Sequence, residues 1–271
     1  MSTSSLTASE LGLVLRRRRN LILLVVLAAA PLIIGLALRL STGEPRGPNP
    51  GLLAEVASNG LFLGFSALIL LTPFFMPLTM AVVSGDAIAG ESAGGTLRYL
   101  LTVPVARGRV LAVKYTSCVV FGLVAAVIVV ASGMIVGALL FPVGDVTLLS
   151  GQTVGFTGTV GRALLMASYA AVMLAGLAAI GMFISTLTEV PATAMATTAA
   201  VPVVAQILGA IPQLSGLHPW LLTDTWRVYG DFLREPMMLE TIQRGLLTQA
   251  AYAVIFLSLA WARLTTRDVT S

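Results

Sequence analysis

Six long stretches of this chain contain no Asp, Glu, Lys or Arg: residues 20–38, 56–85, 115–144, 163–188, 190–223 and 245–262. A helix that crosses a bilayer needs about 20 predominantly apolar residues, and each stretch can hold one. No water reaches the hydrocarbon core, so every backbone amide and carbonyl there must be paired within the segment, which selects helices. A soluble fold is excluded by its surface. Only 10% of the 271 residues are charged, whereas soluble domains carry about a quarter. The expected architecture is one all-α transmembrane domain over 1–271, with spans at about 21–40, 60–84, 111–141, 160–186, 191–211 and 246–263. Pro212 and the polar 213–216 stop the fifth span early, and Pro191 suits the first turn of that helix. The Gly, Ser and Thr residues of 146–161 read as a loop.

Six spans put both termini on one side. With the termini inside, the inner segments hold Arg16–Arg19, Arg98, Arg107, Arg109, Lys114, Arg263 and Arg267. The outer segments and their edges hold Arg39, Arg46, Arg162, Arg227, Arg234 and Arg244. The surplus of basic residues favours cytoplasmic termini. The formal net charge of +4 reflects this asymmetry and not a nucleic-acid surface, because no basic face lies on a soluble domain. The apolar run after Arg19 is too long for a cleaved signal segment, so it reads as a retained first span. Ahead of it, Thr7 and Glu10 have capping-box spacing, flanked by Leu6 and Leu11 as a staple. Leu11, Val14 and Leu15 share a helical face. A short interfacial helix follows, with Arg16–Arg19 at the phosphate level or serving orientation alone.

One polar knuckle interrupts the pattern. Residues 85–110 lie between spans two and three and carry Gly94-Gly95, then Thr96 as a candidate cap. Leu97, Leu100, Leu101 and Val105 form an apolar stripe at helical spacing. Pro104 interrupts the stripe, and Arg107, Arg109 and Lys114 follow. A short amphipathic helix held outside the bilayer either docks into a partner's groove or lies on lipid.

The order Glu91, Gly95-Thr96-Leu97-Arg98, Leu101, Pro104, Arg107 resembles the cytoplasmic segment of ABC-2 type transporter permeases. The length, the six spans and the position of the knuckle are similar to that family over nearly the whole chain. The resemblance implies the ABC-2 permease fold, with an N-terminal interfacial helix and a coupling helix within 85–110. It implies the membrane subunit of an ATP-driven exporter in the inner (plasma) membrane, working by alternating access as a dimer with a second permease copy or paralogue. A separate cytoplasmic ATPase would hold ATP and Mg. Glu91, Gly95, Thr96, Leu97, Arg98, Leu101, Pro104 and Arg107 would then serve coupling to that ATPase. Independently, no G-x-x-x-x-G-K-[ST] phosphate loop occurs in the chain, so no ATP site and no enzymatic activity is expected on it.

Pro73 and Pro77 should each kink span two, and Pro202 span five. Thr72, Thr197, Thr198 and Gln206 are candidates for a substrate path. For Gln206, the deepest polar side chain, a helix–helix hydrogen bond is the competing reading. In similar permeases spans two and five line the path, and the absence of buried charge pairs in the spans favours an amphiphilic or drug-like substrate. Gly60-x-x-x-Gly64 and Gly133-x-x-x-Gly137 permit close helix approach. In the outer segment 212–245, Trp220, Trp226 and Tyr229 suit the headgroup level. Asp224, Arg227, Asp231, Arg234 and Glu235 have helical spacing for ion pairs. The segment is either a set of short re-entrant helices or a solvated loop. His218 stands alone, and Cys118 can form no internal disulfide, so neither a metal site nor catalysis is expected. Without ATP drive, the alternative is a secondary carrier or channel. A membrane scaffold is a third reading.

Overall fold

A computed structural model describes residues 3–40, 50–95 and 107–266. Its helices are α1 (Thr3–Arg16), α2 (Arg18–Leu40), α3 (Pro50–Ser58), α4 (Phe62–Leu71), α5 (Phe75–Ala93), α6 (Arg107–Leu140), α7 (Phe156–Leu187), α8 (Pro191–Gly209) and α9 (Leu239–Thr266). Five of these are long and apolar enough to cross a membrane, and the bent pair α4–α5 passes the same test when taken as one span. The chain is therefore an all-α membrane bundle. The loop expected at 146–161 instead carries a two-residue antiparallel ribbon, β1 (Val146–Thr147) with β2 (Thr153–Val154), and α7 already starts at Phe156.

Helix α7 is the central pole. Of its most apolar stretch, 78% is buried by the other helices, against 22% for α2 and for α8. It packs on α5, α6, α8 and α9, so α2 and α8 lie on the outside of the bundle. The two glycine pairs meet each other. A Cβ on Gly133 would stand 2.7 Å from the Gly64 Cα, and one on Gly137 would overlap the Gly60 carbonyl. They bring the entry to α4 against α6 within this chain, where only glycine leaves room for backbone-to-backbone contact.

Span two is broken rather than twice kinked. α4 and α5 meet at 58° across Thr72–Phe74. Pro73 lies in the break, whereas Pro77 lies in the first turn of α5, where no helical acceptor awaits its missing amide through a straight ladder. The first α5 bond runs from Leu78 N to Phe74 O at 3.1 Å. The Pro73 carbonyl, which a residue-77 amide would meet in an unbroken helix, instead accepts from Gln206 Nε2 at 2.6 Å. α8 thus supplies the donor that proline removes from α5. Farther along, the Ser185 hydroxyl of α7 donates to Gly85 O at 2.7 Å and accepts from Ala89 N at 2.8 Å. Gly85 also lets α8 approach closely: a Cβ there would sit 2.8 Å from Met195 N.

The outer segment folds back onto the bundle as short 3₁₀ turns, Pro212–Leu214, His218–Trp220 and Asp224–Leu233. Only Trp220, 73% exposed, keeps the position expected of a headgroup anchor. Trp226 and Tyr229 are buried in the core with Phe232 and Leu233. Four bonds secure the fold-back. Tyr169 OH donates to Thr225 O at 3.1 Å, Gln249 Nε2 to Leu222 O at 2.8 Å, Tyr252 OH to Trp220 O at 2.8 Å and Arg162 Nη1 to Phe232 O at 2.6 Å. Burial pushes the Tyr229 phenol up from its ordinary pKa. Glu235 pairs with Arg162 on α7 rather than along its own segment.

Gln206→Ala should leave the Pro73 carbonyl unpaired and cost about 1–3 kcal/mol, read as a lower thermal midpoint in detergent. Pro77→Ala restores the missing amide, so the Gln206→Ala penalty should shrink in the Pro77→Ala background. Equal penalties in both backgrounds would show that the bond does not replace the proline's lost donor.

Candidate functional site

The knuckle is shorter than the sequence suggests. α5 continues as helix to Ala93, and α6 begins at Arg107, so 85–93 and 107–110 are the ends of two long stalks. Small residues and two carboxylates make 85–93 look like loop, but the carboxylates are paired elsewhere and the backbone stays helical. Gly94 N bonds Gly90 O at 3.1 Å, and Gly95 then turns the chain at φ +69°, a conformation that favours glycine. Thr96, Leu97, Arg98, Leu101 and Pro104 lie outside the described residues. At the other stalk, Arg107 Nη1 donates to Leu264 O at 2.5 Å and to Thr265 O at 3.2 Å. This ties the start of α6 to the end of α9.

Six charged side chains gather at the base of these stalks. Lys114 of α6 is 4% exposed and donates through Nζ to Glu10 of α1 at 2.9 Å and to Glu91 of α5. Asp86 of α5, 8% exposed, receives Arg19 Nη2 at 2.9 Å and Arg17 Nη1 on the same Oδ2. Three cations meet three carboxylates, so the block is neutral as a whole, and its members come from four helices and the elbow residue Arg17. Breaking a buried pair strands a charge at a cost of several kcal/mol, which holds α1 against the stalks. α1 starts at Thr3, not after Thr7. Thr7 is therefore inside the helix and no capping box forms; Glu10 reaches Lys114 instead. The elbow into α2 is also braced, because Asn20 Nδ2 donates to Val14 O at 2.8 Å. Sequence spacing shows none of this, since Glu10 and Lys114 are 104 positions apart.

The substrate-path candidates scatter. Thr72 is buried at the break, donating to Leu68 O at 2.7 Å and lying 3.3 Å from the Tyr229 hydroxyl. Thr198 is fully buried, bonded to Ala194 O at 2.7 Å, with its methyl group beside Gly181. Thr197 is exposed on α8. Gln206 lines a cavity of about 70 Å³ with Thr223, Asp224 and Trp226. Pro73 joins that cavity to an apolar groove of about 340 Å³ between α5 and α8, walled by Phe74, Pro77, Leu78, Ala200 and Val203. Among the described residues no cluster of His, Cys, Asp and Glu could hold a metal ion. His218 Nε2 lies 3.1 Å from Ile211 O.

Residues 15–213, which include the elbow, both stalks, the broken span and α8, match the profile of the family described as ABC-2 family transporter protein. The chain belongs to that family. A shorter likeness points the same way. Over 45 residues the chain is 49% identical to the probable ABC transporter permease protein NosY of Stutzerimonas stutzeri, and equally to that of Pseudomonas aeruginosa. The aligned stretch is 17% of this chain and 16% of each relative. The chain is thus an ABC-2 transporter permease.

Lys114→Met should leave Glu10 and Glu91 facing each other without a cation, costing about 3–5 kcal/mol and lowering the thermal midpoint. Adding Glu10→Gln and Glu91→Gln should return most of that loss. A triple variant no more stable than Lys114→Met would show that the charges do not brace the stalks.

Proposed function

We propose that this permease is the membrane-spanning subunit of an ATP-driven exporter, powered by a separate cytoplasmic ABC ATPase that carries ATP and Mg. The observation that carries the reading is the braced base. Two stalks, α5 and α6, flank the short segment between Gly95 and Arg107; Lys114 of α6 is ion-paired to Glu91 of α5 and to Glu10 of α1. A push on that segment reaches three helices together, as required of a contact that turns ATPase closure into helix tilt. Thr96, Leu97, Arg98, Leu101 and Pro104 supply the docking surface. Glu91 acts from within, by holding Lys114, and Arg107 by holding the end of α9. The termini and the segment are cytoplasmic, in the inner (plasma) membrane, consistent with the excess of basic residues on that side.

The substrate is amphiphilic or drug-like. The apolar groove beside α8 adjoins a smaller cavity bearing Gln206, Thr223 and Asp224, so Pro73 stands where an apolar body would meet a polar end. The exposed α8 face, with Val203, Val204 and Ile207, receives a second copy or a paralogue. Alternating access then proceeds by movement of α5 and α8 about the break at Thr72–Phe74. Glycine contacts at Gly85 and Gly181 keep the crossing of α5, α7 and α8 close.

Purification in mild detergent from native membranes, followed by mass spectrometry of bound chains, tests this. An ABC ATPase should co-purify with the wild-type chain and be lost from the variant with Arg98→Glu and Leu101→Glu, while the permease itself stays folded. Absence of any ATPase from the wild-type preparation, with transport indifferent to ATP, would favour an ion-coupled carrier instead.

A further inference from the structure

The elbow between α1 and α2 holds more positive charge than its own partners neutralise. Arg17, Arg19 and Lys114 face Glu10, Asp86 and Glu91, and Arg16 and Arg18 of the same run add two further cations. The surplus lies on Arg16 and Arg18, which are exposed and make no hydrogen bond or ion pair among the described residues. Arg17 and Arg19 are paired but remain 51% and 39% exposed at the side chain. They share one oxygen of Asp86, while the other, Oδ1, is packed on Gly90, where a Cβ would stand 2.5 Å from it. Two guanidiniums on one carboxylate leave a net positive charge and unused N–H donors, an arrangement suited to the planar, two-point binding of a phosphate.

Location decides which phosphate. α2 starts at Arg18, and its first outward apolar residues, Leu21 and Ile22, are 46% and 63% exposed. Val25 and Val26 continue that face. Arg18 is therefore about one helical turn, roughly 5 Å along the axis, from side chains that must face acyl chains. We propose that the arginine elbow is a binding site for anionic phospholipid headgroups, with Asp86 as an internal carboxylate that competes with the lipid phosphate for Arg17 and Arg19. A bound headgroup neutralises Arg16 and Arg18 and draws Arg17 away from Asp86, loosening the tie between α2 and α5. The Lys114 pairs, deeper and far less exposed, are untouched. Lipid charge thereby tunes how firmly the first span follows the stalks. The site depends on membrane crossing and not on ATP drive, so it stands or falls separately from the ATPase test.

The full-length chain, delipidated in detergent, is titrated with phosphatidylglycerol or phosphatidylcholine, and bound lipids are counted by native mass spectrometry. Phosphatidylglycerol should bind preferentially. Arg16→Gln with Arg18→Gln, both exposed and without internal partners, should weaken phosphatidylglycerol binding by about 30-fold and leave phosphatidylcholine unchanged. Asp86→Asn should strengthen phosphatidylglycerol binding several-fold. Millimolar inorganic phosphate should not displace the lipid. Unchanged binding in the arginine double variant overturns the site. Weaker binding by Asp86→Asn, with phosphatidylcholine retained as in wild type, overturns the competition. Displacement by inorganic phosphate would make it a free-anion site and overturn the lipid assignment.

Discussion

A single ammonium group organises the base of this permease. Lys114 is nearly inaccessible to solvent and sits between Glu10 and Glu91. A buried cation near the hydrocarbon edge is tolerable only when paired, so α1 and α5 must both stay close to α6. Everything nearby follows from that requirement. α1 does not float on the membrane surface but is attached to the bundle. The elbow carries its arginines to Asp86, and the two stalks leave the membrane side by side with a short link between them.

The same logic of replacement operates at mid-span. Breaking a helix exposes backbone groups, and in the absence of water another side chain must take them. Gln206 does so for Pro73 O. Ser185 bonds three backbone groups of α5 between Gly85 and Ala89. α5 is therefore held by side chains from α7 and α8 at both ends of its membrane stretch, while its own ladder is interrupted above at the prolines. Such a helix can change angle without leaving polar groups unpaired, provided its partners move with it.

The sequence was most legible where a single physical rule dominates. Lipid forbids unpaired charge, so the charge-free windows marked the crossings, and the proline pair in TPFFMP marked the weak point of the second. Legibility failed where distant residues decide the local state. Asp86 and Glu91 made 85–93 look like loop, but Arg17, Arg19 and Lys114 neutralise them and the helix continues. Thr7 and Glu10 had the spacing of a cap, yet Glu10 is committed to Lys114 and the helix starts earlier. Trp226 and Tyr229 had the composition of headgroup anchors but are drawn inward by Arg162, Tyr169 and Gln249, which hold the backbone around them. The path candidates share polarity and a place in the second and fifth spans. Polarity did not separate Thr197, which is exposed, from Thr72 and Thr198, which are buried and bonded to their own helices.

Hydrogen–deuterium exchange of the full chain, wild type against Lys114→Met, measures the brace most directly. If one buried ion cluster unites α1 with both stalks, amides in 6–16, 85–93 and 108–116 are protected in the wild type and all three stretches accelerate together in the variant. Acceleration confined to the turn around residue 114, with α1 and α5 unchanged, would contradict the account. It would mean that apolar packing alone holds the base together.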